Sequence, residues 1–520
     1  MGNEKMVPLI PYIKAYSNRE VCFNFRGRSY NFSLSHGLFS SAGIDGGSRF
    51  LLKVFSEYLD GFSNDSLKED MELPFYMLDA GSGIGVLGIC AARAIADLAA
   101  AAPGNRARNK PIVHCRAQDR DYLGKIFTEY NAVINGLSLE PRSAEKVYLE
   151  ASSPIIFEAY AEPLLAGPFG QKWDLILSNI PAKAGIPVLE DFMDRSIRLL
   201  KKGGLVFLVV VNTLAGFFRS GISASASIHR EETGKEHTVF VYGPESGEDF
   251  VPLPGKAPIV FNEKFSGNYP FYIRNSFEYG MEGINYCLDT VYGAGDFDSP
   301  GGTAEAAVSL ATKIGLAQKM ADLDAPGAGI LVHDAGQGHF ALWLTHYLKL
   351  FSHEHACTKE PFILSGRNAI ALSACRAALE KARAAKNTEG TPPSAPGLHI
   401  VAAADIFLDR ERLAAAGKHN NEDGEVFSLI AFFPVQVPES KRGEEDWEGL
   451  SCLTAKNGIV IAAMSSAEAE RFDRKKPPLF IRMGDIKRKG FRALAYRKIS
   501  PDAASHNGKA DTAVKTLFLD

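Results

Sequence analysis

An apolar run ending in Asp-Ala-Gly-x-Gly occurs twice in this chain, and no other feature constrains its fold as strongly. Phe75 to Gly85 reads FYMLDAGSGIG and Gly329 to Phe340 reads GILVHDAGQGHF, which places Asp334 255 positions after Asp79 (334 − 79 = 255). Upstream, Ile44-Asp45 matches Phe297-Asp298, and Gly46-Gly47-Ser48 matches Gly301-Gly302-Thr303. Downstream, WDLILSNIPA (Trp173 to Ala182) matches FSLIAFFPV (Phe427 to Val435) at an offset of 254 (429 − 175). Three correspondences at nearly one offset predict an internal duplication. Within each half, short apolar strands alternate with alanine-rich helical runs. In the first half the expected strands are Met77–Leu78, Ile112–Arg116, Leu175–Ser178 and Leu205–Val211. The expected helices are Val86–Ala100, Tyr122–Asn135 and Val188–Leu200. That alternation predicts an α/β, Rossmann-like unit with a parallel sheet covered on both faces, built twice.

With 520 residues, two large domains fit the length prior. The Pro- and Gly-rich stretch 243–258 is the best linker, giving domains at 1–245 and 263–500, a linker at 246–262 and a tail at 501–520. Hydrophobic residues make up 46% and the net charge is −4, which excludes a disordered chain and a globally basic one but not a local basic patch. The longest purely apolar run, Leu205–Val211, is far below the ~20 residues of a membrane helix. The first residues show no secretory pattern. Seven scattered cysteines without a CxxC read as reduced thiols, so a cytoplasmic protein is expected.

In the first half, Asp79-Ala80-Gly81-Ser82-Gly83-Ile84-Gly85 follows a strand and opens a helix. Its glycines permit a tight turn and a close backbone approach to a ligand. The overlapping Gly83-x-Gly85-x-x-Gly88 also fits a dinucleotide fingerprint. Asp79 argues against a diphosphate there, because an acid at that strand end suits a cationic ligand. Asp119, closing the second strand, can accept both ribose hydroxyls of an adenosine. The bland alternative makes it a helix-start charge, a role for which Asp121 is the better candidate.

Together these residues resemble the class I S-adenosylmethionine-dependent methyltransferases, and more narrowly the tandem-domain ribosomal RNA guanine-N2 methyltransferases. The match lies in Gly37-Leu38-Phe39-Ser40, Ile44-Asp45-Gly46-Gly47-Ser48, the turn from Asp79 to Gly85, and the loop Ser178-Asn179-Ile180-Pro181-Ala182-Lys183-Ala184-Gly185. The resemblance implies S-adenosyl-L-methionine as cofactor and RNA as partner, with neither a membrane nor a metal involved. By the same analogy, Asn179, with Pro181 in its loop, is catalytic. Asp79, Gly81, Gly83, Gly85 and Asp119 bind the cofactor, and Asp45 and Ser48 border its methionine end. The loop departs from the family: Ile180 stands for its first Pro, Ala182 for its aromatic and Lys183 for its His. Lys183 is therefore expected to meet a phosphate or an acidic substrate.

The second half reads as emptied. Phe340 stands where the third glycine is expected, Gly366 where Asp119 lies, and Phe433 where Asn179 lies. It is expected to keep the fold and lose the cofactor. From Arg471 to Lys498, eleven Lys and Arg face only Asp473 and Asp485, with Phe472, Phe480, Phe491 and Tyr496 interleaved. Bases with aromatics predict an RNA surface, represented by Lys487, Arg488 and Lys489. The histidines His339, His346, His353 and His355 lack a metal-ligand pattern, and no metal site is expected. Two other functions compete: a protein or small-molecule methyltransferase, and a non-catalytic RNA- or ribosome-binding scaffold.

Overall fold

The computed structural model describes residues 6–39, 41–61, 74–101, 113–139, 153–166, 171–244, 272–323, 328–351, 361–384, 397–417, 426–438 and 445–499. The expected linker 246–262 and tail 501–520 lie outside the described residues. The elements fall into two compact units, one formed by the strands up to residue 243 and their helices, the other by those from residue 273 onward.

The first unit opens with α1 (Ile10–Tyr16), the hairpin β1 (Arg19–Phe25) and β2 (Arg28–Leu34), and α2 (Gly46–Gly61). There follow β3 (Phe75–Ala80), α3 (Val86–Ala101), β4 (Val113–Asp119), α4 (Tyr122–Ile134), β5 (Ser138–Leu139), β6 (Ile155–Ala161), β7 (Trp173–Asn179), α5 (Ile186–Arg198), β8 (Leu200–Val211), α6 (Asn212–Ser223), β9 (Ser227–Thr233) and β10 (His237–Gly243). The large sheet has the order β5-β6-β4-β3-β7-β8-β10-β9. It is parallel from β5 to β8; β10 runs antiparallel to β8 and to β9. Met77, Leu175, Ile176 and Val206 are fully or almost fully buried, as central strands covered on both faces require. After β3 the chain proceeds to one side of the sheet through β4 and β6, then returns to the other through β7 and β8. Beyond the carboxyl ends of β3, β4 and β7 this reversal opens a crevice, the usual ligand position in open α/β sheets.

The second unit repeats the plan. A hairpin, β11 (Ile273–Met281) and β12 (Ile284–Val291), precedes α7 (Gly302–Lys313) and α8 (Leu316–Ala321). Then come β13 (Gly329–His333), α9 (His339–Phe351), β14 (Phe362–Gly366), α10 (Ala369–Ala384), β15 (Leu398–Ala402), α11 (Arg410–Gly417), β16 (Phe427–Phe432), α12 (Glu445–Leu453), β17 (Thr454–Ser465), α13 (Ser466–Arg474), β18 (Phe480–Arg488) and β19 (Phe491–Lys498). The sheet order is β15-β14-β13-β16-β17-β19-β18. Apart from the short β5, this is the strand order of the first sheet, element for element. Among the described residues no helix is long and apolar enough to cross a membrane.

The aromatics of 471–498 depart from expectation. Phe472, Phe480 and Tyr496 are buried around Trp447, which stacks on Phe472 at 4.3 Å between centroids. Phe491 lies against Gly302. Phe472 lies on α13, Phe480 begins β18, and Phe491 and Tyr496 point to opposite faces of β19, where each packs against a core, so these rings offer no stacking platform for bases. Trp447, 2% exposed, also donates its indole N–H to the Phe472 carbonyl at 2.8 Å. Trp447→Ala is expected to cost about 3–5 kcal/mol in chemical denaturation; a loss below about 1 kcal/mol would show that this cluster does not hold the second sheet's outer edge.

Candidate active site

The turn after β3 is built by backbone geometry. Gly81, Gly83 and Gly85 all have positive φ (83°, 57° and 87°), a region where a side chain strains the chain. The Gly81 and Ser82 N–H groups both donate to the Gln118 carbonyl, at 2.9 and 3.0 Å. The Gly83 N–H donates to Asp119 Oδ2 at 3.0 Å, and the Asp121 N–H to Asp119 Oδ1 at 2.8 Å. Asp119 thus clamps the turn to the end of β4 while staying partly exposed to the crevice. Capping of α4 falls to Asp121, whose side chain accepts from the Leu123 N–H. Thr128 donates to the Gly83 carbonyl at 3.1 Å. The buried Asn131 donates to the Ile84 carbonyl at 2.9 Å and exchanges two bonds with Ser33 on β2.

Asp79 lies beneath this turn, fully buried. Its Oδ2 accepts the Gly88 N–H at 2.7 Å, and a Cβ on Gly88 would sit 2.9 Å from that oxygen. Its Oδ1 is buried without a partner. Burial pushes the Asp79 carboxyl up to about 7, opposed by the Gly88 bond and reinforced by the charge of Asp119. Burial also raises Asp119, against the bonds it accepts from Asp121 and Gly83.

A second cluster forms where β7 ends. Asn179 Nδ2 donates to Asp45 Oδ1 at 2.8 Å and to Ser48 Oγ at 3.1 Å. Asp45 Oδ1 also accepts the Ser48 N–H, so it caps the start of α2. Three residues more than 130 positions apart at their extremes therefore converge. Ile180 is buried, whereas Pro181, Ala182 and Lys183 are exposed in the following turn.

Sequence reasoning missed the floor beyond β6. Arg116 pairs with Glu162 at 2.5 Å, donates to Gln118 Oε1 and lies 3.7 Å from the centre of the Tyr160 ring. Gln118 in turn donates to the Leu164 and Ala166 carbonyls, holding Leu164 against Gly81. Only strand pairing brings 116–118 beside 162–166, and no linear motif marks them.

These features fit a sulfonium nucleoside. Gly83 faces open space at its Cβ position, Asp119 is accessible, and an unpartnered oxygen of Asp79 lies below the turn. In the second unit the same places are filled. Gln337, 1% exposed, bonds to the Val291 N–H and the Phe297 carbonyl. Phe340 is buried against Phe433, with ring centroids 5.2 Å apart. His339 bonds Tyr286 through Nδ1, and burial pushes it down to about 4; His353 and His355 lie outside the described residues. Lys487, Arg488 and Lys489 are exposed where β18 turns into β19. Arg488 and Lys489 reach Glu305, and Arg488 also Glu282.

The raised Asp79 carboxyl makes the ligand-free fold bind a proton that the unfolded chain releases near pH 4. Its contribution to stability is therefore full below pH 4 and is lost as pH rises to about 7, at up to about 1.4 kcal/mol per pH unit. Denaturation of wild type and Asp79→Asn across pH 4–8 should show the wild type losing ground over that window; a pH-independent difference would reject the burial assigned to this carboxyl.

No protein-family model matches this chain, and no curated protein matches it. Among solved structures it is similar to the T. thermophilus 16S rRNA N2 G1207 methyltransferase (RsmC) in complex with AdoMet and guanosine. The identity is 13%, covering 94% of this chain and 99% of that chain, with a TM-score of 0.50. Shorter matches include a ribosomal protein L11 methylase from Lactobacillus delbrueckii subsp. bulgaricus (20% identity, 36% of this chain and 77% of that chain, TM-score 0.24). Another is a TehB-like SAM-dependent methyltransferase from Corynebacterium glutamicum (11% identity, 38% and 98%, TM-score 0.21). The chain carries the class I S-adenosylmethionine-dependent methyltransferase fold twice in tandem.

Proposed function

We propose that residues 1–245 bind S-adenosyl-L-methionine and transfer its methyl group to RNA, at a guanine exocyclic amine in ribosomal RNA, and that 263–500 form a non-catalytic second domain. The observation that carries this reading is the Asp45–Ser48–Asn179 cluster beside the open glycine turn. Both bonds from the Asn179 amide nitrogen go to Asp45 and Ser48, which leaves Oδ1 to accept from an incoming amine. When bound, the cofactor supplies an electrophilic methyl group on sulfur. Asp119 would hold the ribose hydroxyls, and Gly81, Gly83 and Gly85 allow the backbone to approach the ligand. Asn179 orients the amine for in-line attack, a positional contribution to the rate. Pro181 stiffens the exposed loop, and Lys183 is free to meet a phosphate. Similarity to an enzyme solved with AdoMet and guanosine supports the choice of base.

A protein or small-molecule acceptor is the second reading. It is favoured by the burial of Phe472, Phe480 and Tyr496 and by the ion pairs of Arg488 and Lys489. Exposed Arg471, Arg474, Lys475 and Lys487 have no ion-pair partner among the described residues and remain available to phosphates.

Calorimetry with S-adenosylmethionine should give a Kd raised about 10–100-fold by Asp119→Ala, the loss of hydrogen bonds to a charged group. Asn179→Ala should bind within threefold of wild type yet transfer methyl about 100-fold more slowly. Full turnover in Asn179→Ala would reject its role, and mass spectrometry of nucleosides and protein from cells lacking the gene decides the acceptor. For RNA binding, neutralising Lys487, Arg488 and Lys489 together should lower the slope of log affinity against log salt by about 1–2; an unchanged slope removes this hairpin from the interface.

A further inference from the structure

The duplication supplies an internal control for the catalytic cluster. In the first unit, β10 begins at His237, paired with Val211 at the end of β8. In the second, β19 begins at Phe491, paired with Ser465 at the end of β17. The surrounding backbone matches: the Asn212 N–H donates to the Glu236 carbonyl and the Ser466 N–H to the Gly490 carbonyl, both at 2.9 Å. Each side chain lies against the second glycine of its Gly-Gly pair. A Cβ on Gly47 would meet Asp45 Oδ1 at 3.1 Å, Asn179 Nδ2 at 3.2 Å and His237 Cδ2 at 3.2 Å; one on Gly302 would collide with the Phe491 ring. His237 and Phe491 therefore occupy equivalent places, as Asn179 and Phe433 do. The unit that keeps the asparagine keeps an imidazole beside it. The other has phenylalanine at both positions, and both rings pack on its apolar core.

His237 is partly exposed, and its imidazole has no hydrogen-bond partner among the described residues. Its backbone is pinned nonetheless. Asn212 donates to the Gly234 and Lys235 carbonyls and accepts from Thr238 Oγ1, which fixes the hairpin that carries the ring. A held but unpartnered imidazole within reach of the Asn179 amide is arranged to meet a third party. An imidazole nitrogen can accept a proton, and a nitrogen that gains a methyl group must lose one.

We infer that His237 is a further catalytic residue of the first unit, accepting the proton that the methylated amine gives up. The inference rests on the methyl-transfer reading. As the amine nitrogen bonds to the methyl carbon, the carbon–sulfur bond breaks with its electron pair left on sulfur. The N–H bond pair returns to nitrogen, and the proton passes to an imidazole nitrogen of His237.

The test uses the full chain, tritiated S-adenosylmethionine, and total RNA and total protein from cells lacking the gene. His237→Phe, which copies the second unit, and His237→Ala should bind S-adenosylmethionine within threefold of wild type. Each should transfer methyl about 100-fold more slowly or worse. Added imidazole should restore part of the His237→Ala rate, a recovery that a purely structural role would not show. Turnover within threefold of wild type in either variant, or a rate loss matched by lost cofactor affinity in both, overturns the assignment and leaves the methyltransferase reading standing. Wild-type protein that binds no S-adenosylmethionine and labels neither fraction overturns both.

Discussion

The site depends on one contact, the Gly83 N–H bonded to Asp119 Oδ2 at 3.0 Å. It joins the turn after the first central strand to the end of the second, so two sheet positions define one wall of the crevice. The turn has three glycines at positive φ and would not hold its shape by chain preference alone. Asp119, Thr128, Asn131 and the Gln118 carbonyl hold it from four directions. Each uses a backbone group that would otherwise be buried without a partner, a cost of about 1–3 kcal/mol apiece. The bonds that satisfy the polar groups of the turn are thus the same ones that hold it rigid.

The second unit shows what that scaffold does without the polar strand ends. Its strand order and Gly-Gly helix start are retained, yet Gln337, Phe340, Phe433 and Phe491 fill the places that Ser82, Gly85, Asn179 and His237 hold in the first. Close packing stabilises a domain freed from leaving a cavity open. The first unit keeps these places open and tolerates an unpartnered carboxyl oxygen, Asp79 Oδ1. Duplication therefore divided two demands, ligand space and a filled core, between two copies of one fold.

The basic segment shows where composition misleads. Eleven bases interleaved with four aromatics read as a stacking surface. In the fold, the rings of α13, β18 and β19 pack into the cores on both faces of the second sheet, while most of the interleaved charges stay at the surface. Arg482 and Arg492 pair with Asp485, Arg488 and Lys489 with Glu305, and Lys498 is buried on the Ser451 and Thr454 carbonyls. Part of the surplus is structural, and Arg471, Arg474, Lys475 and Lys487 stay exposed.

The sequence by itself determined the duplication, the α/β class, and the principal strands and helices of the first half. Those properties are written in local chain terms: strand-length apolar runs, glycines at turns, and polar residues at strand ends. Only the tertiary structure decided that Asp79 lies under the turn with one oxygen unpartnered, that Arg116, Gln118 and Glu162 make the floor, that Asn131 ties β2 to the glycines, and that His237 and Asn179 both border Gly47. Each of these couples segments far apart in the chain through strand pairing or helix packing. Hairpins such as β1–β2 and β9–β10 carry charged outer faces and no motif, so their place becomes visible only when the sheet and helices they cover have assembled.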